Sequence, residues 1–270
     1  MKKNSDKSVC FHPDFNWHRA MTEKDPVEGL EQLQAWIDHG LSLNKCWVGN
    51  YNLLMWACIY QNRVMMETLI KQNIDIHLKN SSGDTALLCL CHPLYANFSS
   101  DAPELVKVLF QAGADMYDKD KEGCSAFHWL AYHNHPSMME VFIKHGFDLH
   151  HVRADGFTPL MDAVQENALD AVRLLLSYGV DLNMQNQNKQ TALMMSVIHG
   201  HHDIAKLLLE SGADWTIQDK DGRNALDLAQ TSEYSSLVFT LESLKEREAL
   251  AKVVEKHGAS SKESSPRYRL

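Results

Sequence analysis

The chain lacks what several broad function classes require. None of its 270 residues fall in a run of 18 apolar positions, so no segment is expected to cross a membrane as a helix. The opening stretch, residues 1–20, carries lysines but no apolar core, so no ordinary secretory signal is expected. Basic residues are the minority: 26 Lys and Arg against 35 Asp and Glu leave a net charge of −9. A general nucleic-acid surface needs clustered cations, so that partner class is not expected. There is no Gly-x-Ser-x-Gly, no phosphate loop and no His-Glu-x-x-His.

What the chain does have is a period. The stretch from Asp155 to Asn183 opens with Gly156-Phe157-Thr158-Pro159-Leu160 and closes with Gly179-Val180-Asp181. Stepping from Thr158 in both directions gives Arg19, Asn52, Thr85, Ser125, Thr158, Thr191 and Asn224, at intervals of 33, 33, 40, 33, 33 and 33. Stepping from Gly179 gives Gly40, Asn73, Gly113, Gly146, Gly179 and Gly212, at 33, 40, 33, 33 and 33. Two independent landmarks place the same seven extra residues in one unit, so the chain is read as an array of repeats.

Each unit carries two helical patterns. Leu160, Ala163 and Val164 form one apolar face; Ala171, Val172, Leu174, Leu175 and Leu176 form a second after a short break. Thr158 is placed to cap the first helix, and Pro159 suits a first-turn position where no N–H partner is needed. Gly179 ends the second helix where a left-handed residue is required. The unit is therefore turn–helix–helix.

These residues resemble the ankyrin repeat, a 33-residue unit with Thr-Pro-Leu-His-x-Ala. The closest stretches are Thr158-Pro159-Leu160-Met161-Asp162-Ala163, Ser125-Ala126-Phe127-His128-Trp129-Leu130 and Thr191-Ala192-Leu193-Met194. Gly113-Ala114-Asp115 and Gly212-Ala213-Asp214 match the closure. Departures are Asn73 at the closing Gly, Asn50 and Lys189 at the turn Gly, and a Pro kept only at Pro159. The resemblance implies an all-α ankyrin-repeat solenoid of stacked helix-turn-helix units with short β-turn or hairpin connections.

On this reading residues 1–16 are a flexible arm and 17–245 hold about seven units, with the insertion at 92–101. Residues 246–270 extend the C-terminal helix into a disordered tail. The first unit keeps Leu30, Leu33, Trp36 and Ile37 as a helical face, as a terminal unit with nothing beyond it should. Cys10, Cys46, Cys58, Cys89, Cys91 and Cys124 fall mostly at unrelated repeat positions, except that Cys58 and Cys91 share one small-residue slot. Buried free thiols and a reducing, cytoplasmic setting are expected.

The resemblance also implies where a partner sits: turn residues before the Thr position, and two residues at the end of each first helix, along a concave groove. Carried over unit by unit, it points to Tyr51, Ile59 and Tyr60; to Asp84 and His92; to Lys121, Glu122, Tyr132 and His133; to Asp155, Phe157, Gln165 and Glu166; and to Ile198 and His199. The aromatic members are suited to anchor an interface at low entropic cost. Asp84, Lys121, Glu122, Asp155 and Glu166 are expected to set charge selectivity. Tyr95 and Phe98 make the insertion a second candidate, since long loops in tight repeats often carry function. Trp56 and Trp129 share one usually apolar slot and are expected in the core.

Catalytic readings are weaker. His133 and His135, His199 with His201 and His202, and Cys89 with Cys91 and His92 are the nearest ligand groupings, and none has zinc-site spacing. Cys124 and His128 lie four apart, but their slots hold Phe157 and Met161, or Gln190 and Met194, in other units. No catalytic residue, cofactor or metal is expected. The function expected is that of a monomeric, non-catalytic scaffold or adaptor that binds a protein partner. Two alternatives are a bacterial effector translocated into a host cell through the tail Ser260–Leu270, and an enzyme with a cryptic site.

Overall fold

The computed structural model describes residues 26–39, 42–44, 50–92, 99–231, 238–243 and 246. The expectations placed on Tyr95, Phe98 and the tail Ser260–Leu270 fall outside them. The chain divides into two compact units, Met1–Val180 and Asp181–Leu270. In the first lie α1 (Pro26–Asp38), α2 (Leu53–Ile59), α3 (Arg63–Lys71), α4 (Ala86–Cys91), α5 (Ala102–Gln111), α6 (Ala126–Tyr132), α7 (Pro136–Lys144), α8 (Pro159–Gln165) and α9 (Leu169–Ser177). In the second lie α10 (Ala192–Ile198), α11 (His202–Glu210) and α12 (Ala225–Thr231).

Helix starts follow from capping chemistry. Asn52 Oδ1 accepts from Met55 N at 2.9 Å, Thr158 Oγ1 from Met161 N at 3.2 Å and Thr191 Oγ1 from Met194 N at 3.3 Å. Each satisfies one of the N–H groups that a helix start leaves without an internal partner. Helix ends need a left-handed residue. Gly113 supplies it at φ 94°, and Asn73 takes the same role at φ 56°, because Asn tolerates that region better than other residues with a Cβ. So the loss of Gly at position 73 leaves the register intact.

In the first unit the short helices α2, α4, α6 and α8 stack in order, each on the next. The longer ones form a second layer, α1 on α3, and α5 on α7 on α9. Leu53, Leu54, Leu87, Leu90, Phe127, Phe142, Leu160 and Leu175 are buried between the layers. Each such side chain stabilises the fold by roughly 1.5–3 kcal/mol relative to exposure. Leu33 of α1 is buried too, on the face its spacing assigns to packing.

The turns are also in register. Asn80 Oδ1 accepts from Ser82 N and Asp84 N, both at 2.8 Å; Asp120 Oδ1 accepts from Glu122 N and Cys124 N, both at 2.9 Å. Successive turns touch: Lys121 N donates to Ser82 O at 3.0 Å. Gly83, at φ 87°, lies under that contact, where a Cβ would stand 3.0 Å from Lys121 N. Any residue other than Gly would push the two turns apart.

In the second unit α10 packs on both α11 and α12. Leu193, Ile204, Leu208 and Leu226 are its buried residues, joined by Leu241 from a helical stretch over residues 238–243. Asn186 and Asp219 repeat the turn-acceptor role of Asn80 and Asp120. Among the described residues there is no strand, only an isolated antiparallel bridge between Lys119 and Ser125.

Candidate functional site

The first unit carries one face on which aromatic and acidic side chains converge. It starts on α2, where Trp56 stands between Tyr51 and Tyr60 with ring centroids 5.1 and 6.1 Å away. It continues where His92, just past α4, meets Trp129 of α6 at 4.6 Å. Trp129 in turn stacks on His133 at 5.9 Å and meets Tyr132 edge-on at 6.0 Å. All seven rings are half-buried. That corrects the expectation for Trp56 and Trp129, which are not core residues. Trp129 Nε1 donates to Asp120 Oδ2 in the turn at 2.8 Å.

Asp84 is corrected in the other direction. Expected as an exposed selectivity charge, it is 2% exposed, with its Oδ2 accepting from Asn80 Nδ2 at 3.0 Å. Lys121 and Glu122 are exposed at the turn tip, as is Glu166 at the end of α8. Ile59, Gln165, Asp155 and Phe157 are half-buried. Ile198 and His199 are exposed and belong to the second unit.

Sequence reasoning missed the most charged part of the face. Arg153 occupies the turn slot that holds Asn80 and Asp120 in the two preceding units. It cannot accept the turn N–H groups. Its side chain instead donates to Asp155 through Nε and Nη2, at 3.2 and 2.7 Å, and to Cys124 Sγ through Nη1 at 3.4 Å. Its guanidinium carbon lies 4.6 Å from the centre of the Phe157 ring, and its Nη1 lies 3.1 Å from Asp162 Oδ1. Burial works against the Arg153 charge, but Asp162, Asp155 and Cys124 more than offset it, and its pKa rises.

Asp162 sits in the slot of Trp129, so the pair 120/129 recurs at 153/162 with donor and acceptor exchanged. In the third unit the same two slots hold Asn80 and Cys89, 3.9 Å apart. The signal was in the sequence: a cation at a slot filled by Asn or Asp in the two repeats on either side, and a carboxylate at a slot otherwise filled by Trp, Cys, Met or Leu. Asp162 is fully buried, and no protein donor meets either oxygen in hydrogen-bonding geometry. Burial outweighs the attraction of Arg153 and pushes its carboxyl up to about 8. Next to it, the Tyr132 hydroxyl donates to Glu166, which together with burial pushes the phenol up to about 12.

Between the third- and fourth-unit turns lies an open cleft of about 350 Å³, lined by Ser81, Ser82, Asp84, His92, Asp120, Lys121, Glu122 and Trp129. Burial lowers the His92 pKa, and the carboxylates of Asp84, Asp120 and Glu122 oppose that shift.

The described cysteines are buried and unbridged. Burial pushes Cys124 up to about 11, and His128 cannot activate it, since His128 Nδ1 is bonded to Ser125 Oγ at 2.8 Å and burial holds the ring at about 3. Among the described residues no group of three or more His, Cys, Asp or Glu is arranged to hold a metal ion, and no helix is long and apolar enough to cross a membrane.

Three family models describing ankyrin repeats match the chain, at residues 49–78, 94–186 and 175–229. The chain belongs to the ankyrin-repeat family. Its fold is similar to that of the ankyrin repeat domain of Bcl-3, described as a unique member of the IkappaB protein family, with a TM-score of 0.69 and 21% identity over 80% of this chain and 94% of that one. At that identity the likeness shows the fold alone. No curated protein matches the chain significantly in sequence. Ankyrin repeats are in general protein-interaction modules.

Proposed function

We propose that this ankyrin-repeat chain is a non-catalytic recognition module whose first unit binds a protein partner through the aromatic–acidic face. The observation that carries the reading is two groups of half-buried rings at successive repeats, Tyr51–Trp56–Tyr60 and His92–Trp129–Tyr132–His133. Tyr and Trp are the residue types that most often dominate binding energy. Around them, Asp120, Glu122, Asp155 and Glu166 outnumber Lys121 and Arg153, so the face favours a partner segment with net positive charge. The stack fixes these groups before binding, which keeps the ordering cost low.

The test is affinity capture with mass spectrometry on wild type beside the Tyr60→Ala/Tyr132→Ala double variant. A partner recovered by wild type should be lost from the variant, each substitution weakening binding by about 1–2 kcal/mol. The variant's melting temperature should stay within a few degrees of wild type. Equal recovery from both proteins moves the site elsewhere.

A further inference from the structure

The cleft between the third- and fourth-unit turns has a definite chemistry. We propose that it receives an arginine side chain of the partner, its guanidinium stacked on Trp129 and paired with the carboxylates around it. This deepens the reading of the face as a protein-binding surface and rests on it.

Three carboxylates, Asp84, Asp120 and Glu122, line the cleft against one ammonium, Lys121. Of these Asp84 is buried and Glu122 stands exposed at the rim. His92 adds an aromatic edge, with a pKa already lowered by burial. Trp129 forms a wall, held by its Nε1 bond to Asp120 Oδ2 at 2.8 Å, by the His92 ring at 4.6 Å and by the His133 ring, which stacks on it at 5.9 Å and does not line the cleft. A fixed indole with a carboxylate on its N–H edge attracts a cation to its face. The hydroxyls of Ser81 and Ser82 supply further acceptors.

The chain contains its own example of the ligand. One repeat further on, Arg153, at the slot of Asp120, lies 4.6 Å over the Phe157 ring, at the slot of Cys124, and reaches Asp155 at 2.7 Å and Asp162, at the slot of Trp129, at 3.1 Å. There the repeat's own turn supplies the cation. In the preceding repeat the turn supplies a carboxylate, the helix supplies the ring, and the space alongside is open. A planar guanidinium is more weakly hydrated than an ammonium and can stack and pair at once, which selects arginine over lysine.

Trp129 is a local reporter. The full-length protein, labelled with 5-fluorotryptophan, would be titrated with the capped pentapeptide Gly-Ser-Arg-Ser-Gly and with versions carrying lysine or citrulline for arginine. The Trp129→Phe variant assigns the resonance. The arginine peptide should shift the Trp129 signal saturably, with a dissociation constant on the order of 1 mM for a single side chain. Citrulline should weaken the response about tenfold, lysine about threefold, and Glu122→Gln, at an exposed position, about threefold for the arginine peptide. No shift with arginine, or equal shifts with citrulline or lysine, overturns the assignment. If Trp129 does not respond while capture of a partner still depends on Tyr60 and Tyr132, only the cleft assignment falls. If capture is independent of those tyrosines and Trp129 still responds to arginine, the cleft stands and the wider face does not.

Discussion

Replacing Asp162 by Asn should stabilise the protein, and do so more as pH rises. Asp162 is fully buried, and neither oxygen receives a well-aligned hydrogen bond. Arg153 Nη1 is 3.1 Å from Oδ1, but the same guanidinium is divided among Asp155, Cys124 and Phe157. The carboxyl therefore titrates at about 8, against 3.8 for a free aspartate. The sign follows from proton counting. Between the two values the folded chain holds a proton that the unfolded chain has released, so folding is favoured below pH 4 and loses that advantage as pH climbs towards 8. A full shift of that size corresponds to roughly 6 kcal/mol, and local relaxation around a buried charge makes about 2–4 kcal/mol the working range near pH 7.5. Asn keeps the shape and never carries the charge. Thermal melts of Asp162→Asn and wild type should coincide near pH 3.5 and differ by about 5–15 °C at pH 7.5, at roughly 2–4 °C per kcal/mol for a chain of this size. A variant less stable than wild type at pH 7.5, with the gap closing at low pH, would mean that Arg153 keeps Asp162 ionised and would refute the reasoning.

The neighbouring pair gives a second expectation. Arg153→Asp places a second acid beside the buried one and should cost about 3–5 kcal/mol in denaturant melts. Adding Asp162→Trp grafts in the fourth unit's arrangement of Asp120 and Trp129, and should recover at least half of the loss. At the turn of the sixth unit, Lys189 is held at φ 55°, a region that is costly for a residue with a Cβ. Lys189→Gly should therefore raise stability by about 0.5–1 kcal/mol, measured as a higher midpoint in urea; a loss would show that its side chain is needed.

The fold was legible because a repeat states itself several times. The register of the Thr and Gly landmarks survives substitutions that matter locally, since Asn50 and Asn73 adopt the positive φ that Gly adopts elsewhere. Capping by Asn52, Thr158 and Thr191 followed from residue type and position alone. That Tyr51, Tyr60, Tyr132 and His133 are not fully buried also follows from the repeat frame, because the turn and the end of each first helix have constant places in it.

The rest was hidden by averaging over units. The slot shared by Trp56, Cys89, Trp129, Asp162 and Met195 reads as apolar, and an apolar slot reads as core. In Trp129 the indole N–H is met by Asp120 of the turn and the ring is only half-buried. Asp84 was misplaced for the converse reason. A turn position reads as exposed, yet Asn80 holds the carboxylate inward and the helix packs over it. Arg153 and Asp162 make sense only as a pair across a turn and a helix. Comparing the two slots jointly between units would have shown the exchange of donor and acceptor.

The central claim is that a partner lies on the rings of the first unit. It is tested most directly by placing a photo-crosslinking phenylalanine analogue at position 60, at position 132 and, as a control, at Tyr178. Tyr178 is 47% exposed and follows α9 in the other helical layer. The account predicts that irradiation in cells joins one and the same protein to positions 60 and 132 and joins nothing to 178. Crosslinks from 178 alone, with none from 60 or 132, would contradict it.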